Sequence, residues 1–141
     1  MFSGCSNAYI QDKVLDTTDR RPDSPSQSIK VNQKLKVVLN ENPSTGYQWQ
    51  ILNLNNINQR NVVSLVSDEY VAPTSQLIGA GGKRVFTFQG VKRGVQLVNM
   101  VYCHSWELDS ILDSNGRLDP QKAKQLGVDY QYKAVVINVT Q

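Results

Sequence analysis

The sequence is poor in the residues from which most metal and redox sites are built. Its 141 residues include one histidine, His104, and two cysteines, Cys5 and Cys103. So few thiol and imidazole groups exclude a Cys/His zinc site and most disulfide frameworks. We therefore predict a protein that needs neither a metal ion nor another cofactor.

Long apolar runs and a strong excess of one charge are also missing. The apolar runs are a few residues long, as at 135–137, while a membrane-spanning helix needs roughly 18 residues or more. Fifteen Lys and Arg against twelve Asp and Glu give a net charge of +3, and the basic residues are scattered, without the cluster that binds nucleic acid. The sequence predicts one domain with no membrane span and no nucleic-acid partner.

Catalytic and calcium-binding patterns are incomplete. Cys103 and His104 are adjacent, and adjacent residues of a strand point to opposite faces, so they are not expected to form a nucleophile–base pair. The run 113–116 resembles part of a calcium loop, but that alignment puts Ile111 at the first ligand position and Lys122 at the last. We predict a turn at 113–116 and a protein that is not an enzyme.

The first 27 residues carry many charges, two prolines and little apolar periodicity, and we predict a flexible leader. Residues 1–5 resemble the end of a bacterial lipoprotein signal, in which small residues precede a lipidated cysteine. Cys5 is thus a candidate lipid anchor, which would place the protein outside the cytoplasm, in the periplasm or on the cell surface. The alternative is a disordered start with an incidental thiol.

From Ser28 onward the sequence consists of short β-rich runs separated by turn residues. In the run 47–51, apolar and polar residues alternate, which predicts that Tyr47, Trp49 and Ile51 face the core. About seven to eight strands over residues 28–141 predict an all-β sandwich. The predicted strands are 29–31, 35–39, 47–51, 62–66, 84–88, 95–102 and 132–139.

One segment has the pattern of a helix. Asp119 can accept hydrogen bonds at the N-cap, Pro120 fits the first helical position, and Gly127 suits the C-terminus. Leu118 and Ala123 stand at the spacing of a hydrophobic staple. We predict a short helix in the long connection before the last strand, within an insertion over 108–130.

The run 42–47, between two predicted strands, has the composition of a stiff loop. Pro43 fixes its own φ and restricts Asn42, and Gly46 permits a positive φ. A rigid loop loses little entropy on binding, so it is suited to recognition. The alternative is a well-formed turn that has no partner.

This loop and two later motifs resemble the chagasin family of cysteine-peptidase inhibitors, which are immunoglobulin-like β-sandwiches. The family pattern is Asn-Pro-Thr-Thr-Gly-Tyr, then Gly-x-Gly-Gly, then Arg-Pro-Trp or Arg-Pro-Phe. Residues 42–47 differ from the first motif only at Ser44, and residues 79–82 match the second completely. Residues 104–106 keep the aromatic residue as Trp106, but His104 and Ser105 replace arginine and proline.

The resemblance implies a reversible, tight-binding inhibitor that fills the active-site cleft of papain-like, cathepsin L-type cysteine peptidases with three loops. It implies that the first loop covers the catalytic cysteine, with Thr45 deepest, and that the glycine-rich loop and Trp106 line the two sides of the cleft. A monomer that forms 1:1 complexes is expected. The implied peptidase-binding residues are Asn42, Pro43, Ser44, Thr45, Gly46, Gly79, Ala80, Gly81, Gly82, His104, Ser105 and Trp106.

The altered third motif keeps another interpretation open. Loss of arginine removes a bidentate contact, and loss of proline leaves the third loop more mobile. These changes favour an immunoglobulin-like binding or adhesion module that does not inhibit, because a fold does not fix a function. Taken alone, Trp106 could also be a core residue.

If His104 lies at the interface, inhibition is expected to tighten between about pH 7.5 and about pH 5.5, because histidine gains a proton in this range. Inhibition constants measured across the range check this. A constant left unchanged by His104→Ala throughout the range would exclude the idea.

Overall fold

The computed structural model describes residues 10–18, 25–52, 54, 61–74 and 81–141. These residues form eight strands, one α-helix and two 3₁₀ helices. In chain order, the strands and the α-helix are β1 (Lys13–Asp16), β2 (Ser26–Lys30), β3 (Lys34–Glu41), β4 (Tyr47–Leu52), β5 (Val63–Val71), β6 (Gly82–Gly90), β7 (Gly94–His104), α1 (Pro120–Leu126) and β8 (Gln131–Thr140).

Two four-stranded sheets make a sandwich. The first sheet has the order β1-β3-β6-β5 and the second has the order β2-β8-β7-β4. Neighbouring strands are antiparallel except for the edge pairs β1 with β3 and β2 with β8, which are parallel. The predicted immunoglobulin-like β-sandwich is confirmed.

The main core lies between the sheets, on one face of each alternating strand. In β3 the odd-numbered residues from Leu35 to Leu39 are buried, while Lys34 and Lys36 are exposed. Trp49 is 3% exposed and confirms the alternation predicted for its strand, but Tyr47 is only half-buried and lies outside this core. The buried core residues are Ile29, Leu35, Val37, Leu39, Trp49, Val62, Val63, Phe86, Phe88, Val98, Met100, Val135, Ile137 and Val139.

A second hydrophobic cluster covers the outer face of the second sheet. Leu52, Val101 and Cys103 point away from the main core, and Ile111 and Ala123 from the β7–β8 connection pack on them. The connection is therefore a layer on the sandwich. This explains why both faces of β7 are apolar near its C-terminus.

The helix in this connection forms as its sequence predicts. Asp119 Oδ1 accepts hydrogen bonds from the backbone N–H groups of Gln121 and Lys122, Pro120 occupies the first turn, and Gly127 ends the helix with a φ of 68°. Residues 113–116 form a turn as expected, in which Asp113 Oδ1 accepts hydrogen bonds from the N–H groups of Asn115 and Arg117. The hydrogen bond from Arg117 lowers the pKa of Asp113 below its ordinary value.

Part of the segment 1–27, for which a flexible leader is predicted, lies in strands: β1 falls within it, and β2 begins at Ser26. Val14 and Leu15 lie in β1, Leu15 packs against the main core, and Thr17 is buried beyond it. Thr17 donates hydrogen bonds to the carbonyl oxygen of Val38 through both its N–H and its hydroxyl. An apolar pair among charged residues was enough to add an edge strand, because β3 supplied the hydrogen-bonding partners.

Two further predictions concern membranes. Cys5, the candidate lipid anchor, lies outside the described residues and stays a prediction. Of the residues that the structure describes, none belongs to a helix with the length and hydropathy required to cross a bilayer.

A buried ion pair in the first sheet is hydrogen-bonded to the second sheet at one end of the sandwich. Glu41 of β3 is 3% exposed and accepts hydrogen bonds from Arg84 Nε at 2.9 Å and Nη2 at 2.6 Å. Its Oε2 also accepts the backbone N–H of Trp49, on the edge strand of the other sheet. The hydrogen bond to Glu41 raises the pKa of Arg84 above its ordinary value.

Arg84→Ala is expected to lower the free energy of unfolding by about 3 kcal/mol, because it leaves the Glu41 carboxylate buried without its cation. Urea denaturation measures this difference. Arg93→Ala, which removes an exposed arginine from the β6–β7 turn, is the matched control and should change stability by no more than about 0.5 kcal/mol. Equal losses in the two variants would contradict this account of the ion pair.

Candidate functional site

Strand pairing brings the predicted loops to one end of the sandwich. Glu41, at the end of β3, pairs with Gly82 at the start of β6. Tyr47, at the start of β4, pairs with His104 at the end of β7. The first loop after β3, the end of the glycine-rich loop before β6 and the third loop after β7 therefore lie side by side.

The first loop is a single 3₁₀ turn, Pro43–Thr45, closed by its own hydrogen bonds. Asn42 Oδ1 accepts hydrogen bonds from the N–H and the hydroxyl of Ser44, at 3.2 and 2.6 Å. The Thr45 hydroxyl donates to the carbonyl oxygen of Asn42 at 2.7 Å. Gly46 ends the turn with a φ of 81°. The stiffness predicted from proline and glycine is thus reinforced by both hydroxyl groups.

The base of the first loop is attached to the second sheet. The hydroxyl oxygen of Tyr102 accepts the N–H of Asn42 at 3.1 Å. Trp49 Nε1 donates to the carbonyl oxygen of Asn40 at 2.7 Å, immediately before the loop. Tyr102 stacks on Trp49 with ring centroids 5.0 Å apart. These contacts fix the direction in which the loop leaves the sandwich.

The third loop is a 3₁₀ helix, Ser105–Ile111, whose buried end Ile111 belongs to the second cluster. Trp106 is 72% exposed, so the alternative of a core position for it is wrong. Its indole lies nearly parallel to the His104 ring, with centroids 4.5 Å apart and planes 8° apart. Ser105 is exposed beside it. The third loop therefore presents a large exposed aromatic side chain, one face of which packs on the His104 ring.

His104 connects the third loop to the first. Its Nδ1 lies 2.8 Å from Oε1 of Glu107, and its Nε2 lies 3.3 Å from the carbonyl oxygen of Thr45. On another side, its ring centroid is 4.1 Å from that of Tyr47. A β-carbon placed on Gly46 would come within 3.1 Å of the His104 ring and 3.3 Å of the Trp106 ring. The two loops thus form one continuous surface.

The glycine-rich motif is described in part. Gly79 and Ala80 lie outside the described residues. Gly81 is exposed and packs against the start of the first loop, where an added β-carbon would lie 3.2 Å from the carbonyl oxygen of Glu41. Gly82 is buried, and an added β-carbon there would collide with the Val71 carbonyl and the Tyr70 ring. The fold itself therefore requires glycine at 82.

The geometry gives Cys103 and His104 separate surroundings. The Cys103 thiol is buried in the second cluster, where Gln50 Nε2 donates to its Sγ at 3.5 Å. Burial raises the pKa of the thiol, which is the opposite of what an activated nucleophile needs. Desolvation likewise raises the pKa of Tyr47. Within the described residues, His, Cys, Asp and Glu form no cluster able to hold a metal ion.

Two contributors to the site were not predicted from the sequence. Glu107 follows His104 by three residues, a spacing that brings two side chains together on a helix. A helical turn predicted at this point would therefore have placed Glu107 beside His104. Tyr102 precedes His104 by two residues on the same face of β7, so strand alternation alone could have placed it beneath the first loop.

Loops clustered at one end of a largely antiparallel β-sandwich are typical of the immunoglobulin-like class of proteins. Comparison with known proteins narrows this class. The sequence model of the chagasin family, "Chagasin family peptidase inhibitor I42", matches residues 28–118. Chagasin from Trypanosoma cruzi is 28% identical over 79 residues, which cover 56% of this chain and 72% of chagasin.

Solved structures agree on the fold. The cysteine protease inhibitor EhICP2 from Entamoeba histolytica gives a TM-score of 0.61 at 18% identity. The match covers 92% of this chain and 96% of the EhICP2 chain. PbICP-C, solved in complex with falcipain-2, gives a TM-score of 0.53 at 17% identity. The match covers 91% of this chain and 99% of the PbICP-C chain.

The chain belongs to the chagasin family of peptidase inhibitors. Members of this family are inhibitors and not enzymes, as the sequence predicted.

Gly46→Ala is expected to lower stability by more than Gly127→Ala. Both glycines have a positive φ, which costs an alanine about 1 kcal/mol, but only at Gly46 would the new methyl group press on His104 and Trp106. At Gly127 no atom lies within 4 Å of the added carbon. Urea denaturation and the near-ultraviolet circular dichroism of the tryptophans measure the two effects. An unchanged aromatic signal in Gly46→Ala would contradict the close packing of the first and third loops.

Proposed function

We propose that this protein is a reversible, tight-binding inhibitor of papain-like, cathepsin L-type cysteine peptidases, and that it blocks the active-site cleft with three loops. The observation that carries the proposal is the joined surface formed by the stiff first loop and the exposed Trp106. Family membership supports it, as does the fold shared with PbICP-C, which was solved bound to the papain-like peptidase falcipain-2.

The first loop is suited to cover a catalytic cysteine. The Ser44 and Thr45 hydroxyls already donate to Asn42, so placing the loop in a cleft leaves fewer unpaired polar groups to desolvate. Pro43, Ser44 and Thr45 are all exposed. Thr45 would reach deepest, and its backbone would meet the enzyme in a fixed arrangement that costs little entropy.

The mechanism is steric. The closed turn at Pro43–Thr45 is not extended, so it does not present a peptide bond in register for attack by the peptidase. No covalent step is required, because a preorganised interface of about 800 Å² per partner is sufficient for tight binding. We propose a monomer that forms 1:1 complexes.

The other two loops would flank the first. Trp106 offers the exposed aromatic surface that commonly dominates binding energy at interfaces. Gly81 would bring backbone close to the enzyme on the other side, together with Gly79 and Ala80. Gly82 would act through the fold, by holding β6 close to Val71 and Tyr70 of β5.

The alternative is a binding or adhesion module that does not inhibit. The replacement of the family's arginine and proline by His104 and Ser105 is the observation that favours it. Competition separates the two proposals: an inhibitor is displaced by a small covalent group that occupies the peptidase cleft, whereas a module that binds elsewhere is not.

Titration of the full chain against papain and a cathepsin L-type peptidase tests the proposal. The full chain is used because β1 and β2 belong to the two sheets. We expect inhibition at nanomolar concentrations by the parent protein. Thr45→Arg should weaken it at least about a hundredfold, because a long charged side chain would meet the floor of the cleft.

Thr140→Arg is the matched control, since it places the same side chain at an exposed position at the C-terminal end of β8, away from the three loops. It should inhibit like the parent protein. Equal inhibition by Thr45→Arg would exclude the first loop as the blocking element. Absence of inhibition by the parent, with binding that persists on a blocked peptidase, would support the non-inhibitory module.

A further inference from the structure

We propose that His104 is a positioning residue, which holds the first loop and Trp106 in one arrangement, and that protonation of its ring strengthens this connection. The inference rests on the proposed inhibitory function where it concerns affinity. It assigns to His104 an internal role in place of the peptidase contact that the family motif implies for that position.

Each of the two ring nitrogens of His104 faces an oxygen atom. Nδ1 faces the carboxylate oxygen of Glu107 at 2.8 Å, and Nε2 faces the backbone carbonyl oxygen of Thr45 at 3.3 Å. A carboxylate and a carbonyl accept hydrogen bonds and cannot donate them. The site therefore has two acceptors for one imidazole.

A neutral imidazole cannot satisfy both acceptors. It carries one N–H, so one nitrogen donates while the lone pair of the other points at an oxygen. With Nδ1 protonated, the unfavourable contact falls on Thr45; with Nε2 protonated, it falls on Glu107. The imidazolium has two N–H groups and donates to both, so gaining one proton converts a repulsive contact into a second hydrogen bond.

The same ring supports the aromatic element of the site. Its parallel stacking with Trp106, 8° between planes, places the indole directly on His104. The edges of the His104 and Trp106 rings both lie against Gly46. A movement of His104 therefore moves Trp106 relative to the first loop, and the two contact surfaces would no longer have the spacing that the cleft requires.

The charged and titratable groups around His104 come from three elements. Glu107, on the third loop, carries the nearest negative charge. Tyr47 of β4 packs on the ring, and its raised pKa keeps its phenol neutral. Asp129, in the connection before β8, adds a second negative charge on the side of Tyr47. Thr45 and Trp106, which also contact the ring, are uncharged.

Nuclear magnetic resonance of the free protein tests the connection without any peptidase. His104 is the only histidine in the chain, so its ring protons can be followed without overlap as the pH is changed. We expect the indole N–H signal of Trp106, assigned with Trp106→Phe, to shift with the same midpoint. The buried Trp49 provides an internal control and should not shift.

Two variants test the hydrogen bonds of His104 separately from the stacking of its ring. His104→Phe keeps an aromatic ring beneath Trp106 and removes both hydrogen bonds, and it should abolish the titration of the Trp106 signal. Glu107→Gln keeps an oxygen near Nδ1 without its charge, and it should reduce the response to acid. Urea denaturation verifies that both variants are folded, and Arg93→Ala serves as a surface control.

Inhibition constants at about pH 7.5 and about pH 5.5 test the effect on affinity. Dividing the constant of His104→Phe by that of the parent at each pH cancels the peptidase's own pH dependence. We expect this ratio to be about fivefold larger at the lower pH, the effect of one additional hydrogen bond. Glu107→Gln should show a smaller increase.

The outcomes distinguish this inference from the function on which it rests. A parent protein that inhibits, together with a flat ratio and a Trp106 signal that does not titrate, overturns the role of His104 and leaves inhibition standing. A parent protein that does not inhibit overturns the proposed function, and the resonance titration then decides whether His104 connects the loops.

Discussion

The arrangement of the site depends on the buried pair of Glu41 and Arg84. A carboxylate in the interior is stable only when its oxygens are paired, and here the partners come from β6 of one sheet and the backbone of Trp49 in the other. Glu41 immediately precedes the first loop, so these contacts hold the start of the loop to both sheets.

The fold was largely predictable because it follows from local patterns. Short β-rich runs predicted seven strands that each overlap an observed strand, although 29–31 shares only two residues with β2 and 62–66 covers less than half of β5. The sequence from Asp119 to Gly127 contains a cap, a proline and a terminal glycine that together specify a helix. β1 was missed, because two apolar residues in a charged segment carry no periodic signal. The strand exists through pairing with β3, a partner about twenty residues away whose contribution is tertiary.

The site was predictable as a set of motifs but not as a geometry. A turn at the first loop could be expected, since proline and glycine act through their own backbone angles. The contacts of His104 depend on the pairing of β4 with β7, which brings Tyr47 opposite His104, and this register cannot be derived from either segment alone. At Gly82 the motif suggested a role that the fold explains differently. The motif indicates recognition, but β5 leaves no room for a side chain at this position.

The third loop has lost the proline that stiffens it in the family pattern, yet its far end at Ile111 is embedded beneath α1 in the second cluster. Local stiffness has thus been replaced by anchorage to a separate layer. A proline keeps its restraint at any temperature at which the chain exists, but an anchored loop is only as ordered as its layer. On heating, Trp106 should lose its fixed position when the β7–β8 connection detaches, while the sandwich beneath is still intact. Recognition and folding would then fail at two different temperatures.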